Sequence, residues 1–416
     1  MLETIQGRLV AELRRAGMLD VPDRFSVAPA HQTIARETLE EIDEFIRIFD
    51  RVTTRPAWQE AVLGAERDPA YRTLGEACFF SAWDFHLPPG RPEAWQLIEF
   101  NDNGSGLLFA ALINRALWEL SEPSFRRGVE ASPPFEATAR RVAEMVEREA
   151  NAFFGTRPDS ALLIVDDAAS LREGRFRNEL AMLRDLLTRT GWAADLATPE
   201  ELHCDAARLL WRGCEVSFVV NRSTDFFFES EVLAPLRDAW RGGHVYVAPN
   251  PFTYTTRSDK RLLEPLSRPL RDETLGIRAE ERELLSAHVP ETWVVREAEL
   301  ETLSSRKDDF VFKPAHGFAG RGLLPSTQVG RGRLRRLLNR GQAYVAQRRV
   351  DKPRLALSSP EADPREVTVW TDLRVWAWRG ERVLLSGRAS RQPNRIDLTP
   401  PGGWIATYPT APSRID

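Results

Sequence analysis

The chain has 416 residues, 42% of them hydrophobic and 28% charged, with a formal net charge of -4. That size and balance fit a globular protein of two or three domains with substantial cores; they exclude a disordered chain and argue against bulk nucleic-acid binding. Three cysteines, Cys78, Cys204 and Cys214, are too few and too scattered for a disulfide framework or a thiolate metal site. No apolar run is long enough to span a bilayer, and Met1 to Val10 has neither the charged start nor the apolar core of a signal peptide, so a cytoplasmic protein is expected. Of the 57 basic residues only Lys260, Lys307, Lys313 and Lys352 are lysines. In so Arg-biased a chain, each retained Lys is a candidate for a role that needs a compact ammonium.

Taken in chain order, the first 60 residues read as helical. Ile5, Leu9 and Leu13 share one face, and Ile34, Ile42, Phe45, Ile46 and Phe49 follow along an acidic amphipathic helix. The pattern then changes. The strand-like run 77–87 is followed by the turn Pro88-Pro89-Gly90 and by a second run, 95–101, which predicts a β-hairpin. Alternation puts Glu99 and Asn101 on one face, and pairing can bring Asp84 beside them. Two carboxylates and an amide oxygen suit Mg²⁺, and a solvated polar strand face suits them equally. His86, next to this face, reads as a structural histidine. Apolar helices are expected over 107–120 and 135–154.

From Ser160 to about Arg268, strand and helix alternate. Runs at 161–165, 215–220 and 244–248 predict a small Rossmann-like parallel sheet with a helix over 175–190. No G-x-G-x-x-G follows the first strand, which argues against a dinucleotide cofactor. Asn221 and Asp225, at a strand end, stand where open sheets present ligand-binding groups, although a turn there needs such residues anyway. Lys260 lies on the helix expected to begin near Thr255, as a surface residue or a phosphate contact. These patterns divide the chain into 1–156, 157–268 and 269–416.

The last segment opens near His288 and contains the run 309–314 leading Lys313 into a turn with Gly317, Gly320 and Gly322. Small residues let backbone N–H groups approach a phosphate closely, and a plain hairpin turn has the same composition. An Arg-rich stretch follows at 330–340, then 344–350, then a strand pair at 367–378 and 382–388. The arginines between Arg331 and Arg354 could touch RNA, including tRNA, or form a solvated helix face.

Together these motifs resemble the ATP-grasp superfamily in a circularly permuted order, similar to eukaryotic glutathione synthetases. The parts that ordinarily come first occur late: Lys313-Pro314 with Gly317 to Gly322, Gln347 to Val350, Asp372-Leu373-Arg374, Arg388 and Asn394. The parts that ordinarily come last occur early, as Asp84 and Glu99-Phe100-Asn101. The resemblance implies an α/β (α+β) grasp. In it Lys313 and Lys260 hold ATP phosphates, Gly317, Gly320, Arg321 and Gly322 close over them, and Gln347, Arg348 and Val350 meet adenine. Asp84, Glu99 and Asn101 would bind Mg²⁺; Arg374 and Arg388 would be catalytic cations; Arg391, Asn394, Asn221 and Asp225 would meet substrate. One departure stands out: an Arg that related ligases carry two residues before the metal Asp is here Ala82. Either Arg374, Arg388 or Arg391 replaces its charge, or phosphoryl transfer is impaired.

The implied reaction joins a small-molecule carboxylate and an amine, from an amino acid or small peptide, through an acylphosphate. Two alternatives stay open, a tRNA- or peptide-dependent amino-acid ligase and a nucleotide-binding scaffold without turnover. A homo-oligomer is compatible with the sequence.

Overall fold

The computed structural model describes residues 5–64, 78–268, 275–317, 322–357, 367–393 and 398–412. A central sheet is built from both ends of the chain. Its strands run in the order Val27–Ile34, Gly403–Pro409, Glu381–Ser390, Val367–Trp378, Ser81–His86 and Gln96–Asn101, and Arg354–Leu357 pairs with the start of Val367–Trp378. The expected hairpin is present, and its register sets Asp84 opposite Glu99 on one side and Arg374 on the other. Alternation then separates the two faces. Trp83, Phe85, Leu373 and Val375 pack against the helix Arg36–Thr53 through Ile42, Phe45, Ile46 and Phe49, an i, i+3, i+4, i+7 stripe. Asp84, Asp372, Arg374 and Arg388 share the opposite face, which next to them carries Trp376 and Trp404.

One expectation fails here. Ile34 ends the strand Val27–Ile34 instead of opening the helix, because this segment is paired in parallel with Gly403–Pro409. The ladder partner lies at the other end of the chain, so nothing local favours the strand. Ile5 also departs from its predicted face: it is exposed, whereas Leu9 and Leu13 are buried.

A second sheet has four parallel strands in the order Ala193–Ala197, Ala161–Val165, Cys214–Asn221 and Tyr246–Ala248, extended by the antiparallel pair Leu202–Asp205 and Arg208–Trp211. The order reverses between Ala161–Val165 and Cys214–Asn221, so their carboxyl ends flank a crevice, the usual ligand position of open α/β sheets. A third, antiparallel sheet orders Thr292–Val294, Tyr344–Arg348 and Phe310–Pro314. Phe310 and Phe312 point into its own core with Tyr344, Ala346 and Leu334. Alternation therefore turns Lys313 and Gln347 to the other face, toward the central sheet. After 314 the chain doubles back, with Leu324 N–H donating to the Phe312 carbonyl at 3.0 Å. Among the described residues no helix is long and apolar enough to cross a membrane.

Candidate functional site

Asp84 is the centre of a buried ion-pair quartet. Arg374 Nε donates to Asp84 Oδ1 at 2.6 Å and Nη2 to Oδ2 at 2.8 Å. Arg388 Nη2 reaches the same Oδ2 at 2.8 Å and Asp372 Oδ2 at 2.7 Å. The strands dictate this, since Asp84 and Arg374 are ladder partners, as are Asp372 and Arg388. The guanidinium of Arg374 also lies 5.7 Å from the Trp404 ring centroid and 5.8 Å from that of Trp376. Burial by itself would raise the Asp84 pKa; Arg374 and Arg388 outweigh it and hold the carboxyl well below the usual carboxylate range. For Arg388 burial works against the charge, and Asp372 and Asp84 overcome it, raising its pKa.

Beside the quartet the lysines converge. Lys313 Nζ donates to the Ile98 carbonyl at 3.1 Å and to Gln347 Oε1 at 2.6 Å, which ties the small sheet to the Gln96–Asn101 strand. Burial is the largest influence on Lys313 and, helped by the nearby Lys260 charge, lowers its pKa to about 8 against the pull of Glu99. Lys260 comes from a third place, the turn Lys260–Leu262, where Asp259 caps the turn by accepting from Arg261 N–H. Its Nζ lies 3.4 Å from Glu99 Oε1 and donates to the carbonyl of Gly317. Lys313, Lys260, Glu99 and the Gly317 carbonyl thus come together beside the Gln96–Asn101 strand. Gln347 Nε2 is buried next to them with no hydrogen-bond partner among the described residues, an open donor for a bound molecule.

The loop after Cys214–Asn221 lies at the carboxyl edge of the parallel sheet. Asn221 and Asp225 are spent on their own turn: Asn221 accepts from Ser223 N–H and donates to the Pro249 carbonyl, while Asp225 accepts from the N–H groups of Glu229 and Ser230. Arg222, between them, is the group that the sequence reading passed over. It is 9% exposed, its Nη2 donates to Ser105 Oγ, and its Nε has no partner among the described residues. Phe226 stacks on Tyr254 at 4.3 Å, and Phe227 meets the edge of His316 at 5.2 Å, joining this loop to the Gly-rich turn. Asp166 stands at the end of the neighbouring strand, its pKa pushed up to about 6 by burial, which Arg222 offsets only in part.

The sign of the Asp166 effect follows directly. A carboxyl raised from 3.8 to about 6 takes up its proton in the native state first, so its contribution to stability falls as pH rises through that window and is constant above it. Asp166→Asn removes this dependence. The gain in thermal midpoint of the variant over the wild type is expected to be larger at pH 8 than at pH 4, as measured by calorimetry; equal gains at both values would contradict the assignment.

The other predicted residues are dispersed. Arg348 is exposed and lies 3.5 Å from Glu291, Val350 offers its carbonyl to His86 Nδ1 at 3.0 Å, and Arg391 is exposed. Gly322 has a φ of +75°, a backbone that favours glycine, and its carbonyl accepts from Tyr344 Oη. Gly320, Arg321 and Asn394 lie outside the described residues. As a donor set for a divalent cation the three oxygen ligands differ. Asp84 has both oxygens on guanidinium groups, whereas Glu99 Oε1 lies 3.4 Å from Lys260 Nζ and Asn101 follows two residues on, on the same face of the strand. Among the described residues no cluster of three His, Cys, Asp or Glu side chains could cage a metal by itself. Glu99 and Asn101 therefore fit Mg²⁺ that arrives with phosphate ligands, and Asp84 in its present pairing does not.

The chain matches no protein-family model and no curated protein sequence. Its structure is similar to that of a glutathione synthetase-like effector from Globodera pallida, at 12% identity and a TM-score of 0.57 over 96% of this chain and 97% of that one. The chain has an ATP-grasp-type fold. A Methylobacillus flagellatus structure bearing the name gamma-glutamylcysteine synthetase superposes at a TM-score of 0.48 and 10% identity, over 87% of this chain and 86% of that one. An ATP-grasp ligase complexed with its minimal precursor gives 0.32 and 14%, over 62% and 92%. In the ATP-grasp-type fold of this chain, Lys313 bridges the small antiparallel sheet and the central sheet.

Proposed function

We propose that this protein is an ATP- and Mg²⁺-dependent carboxylate-amine ligase, with its grasp elements in circularly permuted order and its parallel-sheet segment, 157–268, holding substrate. One observation carries the reading: Lys313, Lys260 and Glu99, from three separate parts of the chain, come together beside Gly317, where the Gly-rich stretch begins. The pairing of the early hairpin with the late strand Val367–Trp378 supports the permuted order.

In this reaction an oxygen of the substrate carboxylate attacks the γ-phosphorus of ATP, the bond to the β,γ-bridging oxygen breaks, and ADP leaves. The amine nitrogen then attacks the acyl carbon, a C–N bond forms, and phosphate and a proton are released. No protein nucleophile is needed; catalysis is positioning and charge stabilisation. Lys313 and Lys260 hold phosphate oxygens, and Gln347 offers its open Nε2–H to the nucleotide. Mg²⁺, held by Glu99 and Asn101, supplies neutralisation of the phosphates when bound. Arg222 and Asp166, at the crevice of the parallel sheet, suit the two ends of an amino acid.

Calorimetric titration with ATP and Mg²⁺ tests the first step, and ADP release across a panel of amino acids and small peptides tests turnover. Glu99→Ala is expected to reduce substrate-dependent ADP release by at least about 100-fold with the thermal midpoint nearly unchanged; normal turnover would remove Glu99 from the site. A scaffold without turnover remains the second reading, favoured by the engagement of Asp84 with two arginines, and ATP binding with no ADP release from any substrate would select it. The RNA reading has less support, because Arg331 and Arg335 are paired with Glu301 and Glu297.

A further inference from the structure

The face of the central sheet turned away from Asp84 and Arg388 carries two apolar clusters. Val369, Ala389 and Ile405 belong to one, with Leu357; Leu373, Val375 and Leu385 belong to the other, with the helix Arg36–Thr53. Two-residue alternation leaves one position of each strand between the clusters: Thr371 between Val369 and Leu373, and Gly387 between Ala389 and Leu385. On the next strand Thr407 follows Ile405 on the same face. A sheet face packed on a core is ordinarily apolar, and this seam is not.

Gln32 lies along the seam. Its Nε2 donates to the Asp372 carbonyl at 2.9 Å and to Thr407 Oγ1 at 3.0 Å. Gly387 makes room for it, because a Cβ there would collide with Gln32 Nε2. Thr371 and Thr407 are each 2% exposed, and the Thr371 hydroxyl has no hydrogen-bond partner among the described residues. These groups line a cavity of about 450 Å³, within the usual size range of small-molecule sites. The rest of the lining sets the chemistry of an occupant. Pro88, Pro89, Pro92 and Pro353, with Leu87 and Leu355, supply rigid apolar surface. His31 adds a ring whose pKa is lowered by burial, so it carries no charge at pH 7. Among the described residues the one charged side chain of the lining is the exposed Arg354, with no Asp or Glu beside it. A carboxylate therefore finds a partner there, and a cation finds none.

We propose that this cavity is a second ligand site, on the face of the sheet opposite the ion-pair quartet, and that it takes a planar aromatic monocarboxylate. The ring packs on the prolines, its polar edge meets Thr371 and Gln32, and its carboxylate meets Arg354. Through the Gln32 amide such a ligand touches, from behind, the strand that carries Asp372.

Isothermal titration of the full chain with indole-3-acetate, indole-3-acetamide and tryptamine presents one ring system with a negative, a neutral and a positive tail. The acetate is expected to bind tightest, roughly tenfold ahead of the acetamide, and tryptamine weakest. Arg354→Ala should bring the acetate down to the level of the acetamide, and Thr371→Val should weaken both by about fivefold. Equal affinity for all three probes, no binding of indole-3-acetate at millimolar concentration, or an acetate affinity that ignores Arg354→Ala overturns the proposal. Competitive displacement of indole-3-acetate by the β,γ-imido analogue of ATP with Mg²⁺ overturns it too, by placing the probe at the lysine cluster. A ligand bound behind the quartet is independent of the ligase reading, because none of these titrations requires turnover.

Discussion

Replacing Arg388 with Ala is expected to lower the free energy of unfolding by about 3–5 kcal/mol, the range for removing one partner of a buried ion pair. Arg388 is 7% exposed, and Asp84 and Asp372 are 2% exposed each, so the two carboxylates that it joins would face each other inside the sheet. Arg374 alone cannot neutralise both. Urea denaturation measures the loss, and a change under 1 kcal/mol would mean that water reaches the quartet. Acid provides a check on the cause. The Asp84 pKa is held below its usual 3.8, so the stability it contributes is present above 3.8 and is lost as pH falls through its lower folded value. The deficit of Arg388→Ala should therefore narrow in acid, as the carboxylates that need the arginine become protonated.

The quartet also marks the limit of what the sequence disclosed. The hairpin that sets Asp84 beside Glu99 was legible, because its turn residues and its two-residue alternation lie within one short stretch. The Phe310–Pro314 strand leading to Lys313 was legible for the same reason, as were the strands at 161–165 and 367–378. Which strands would lie side by side was not. Arg374 and Arg388 stood out as catalytic cations, and only the placement of Val367–Trp378 beside Ser81–His86 shows their partner to be Asp84. The strand Val27–Ile34 was missed because its partner is Gly403–Pro409. Arg222 carries no motif; what distinguishes it is a buried Nε with no partner among the described residues, a property of the fold alone.

Lys313→Met should separate stability from function. The wild-type ammonium is held at a pKa of about 8, below its ordinary 10.5, chiefly because it is buried. The unfolded chain therefore binds this proton more readily than the native one, and the contribution of Lys313 to stability rises as pH climbs from about 8 to 10.5. The lysine destabilises the fold at neutral pH, and a methionine of similar length is expected to raise the thermal midpoint at pH 7, by a margin that shrinks toward pH 10. Nucleotide binding should move the other way. Loss of a charged donor to several phosphate oxygens is expected to weaken ATP by roughly 100-fold. In the wild type, affinity should also decline above pH 8 as the free ammonium loses its proton, whereas the residual affinity of Lys313→Met should not follow that titration. A variant both more stable and unable to bind ATP identifies a residue retained for its ligand, because the hydrogen bonds to Gln347 Oε1 and the Ile98 carbonyl would then be worth less to the fold than burial of the ammonium costs. A variant that binds ATP normally would leave the convergence of Lys313, Lys260 and Glu99 without a ligand to explain it.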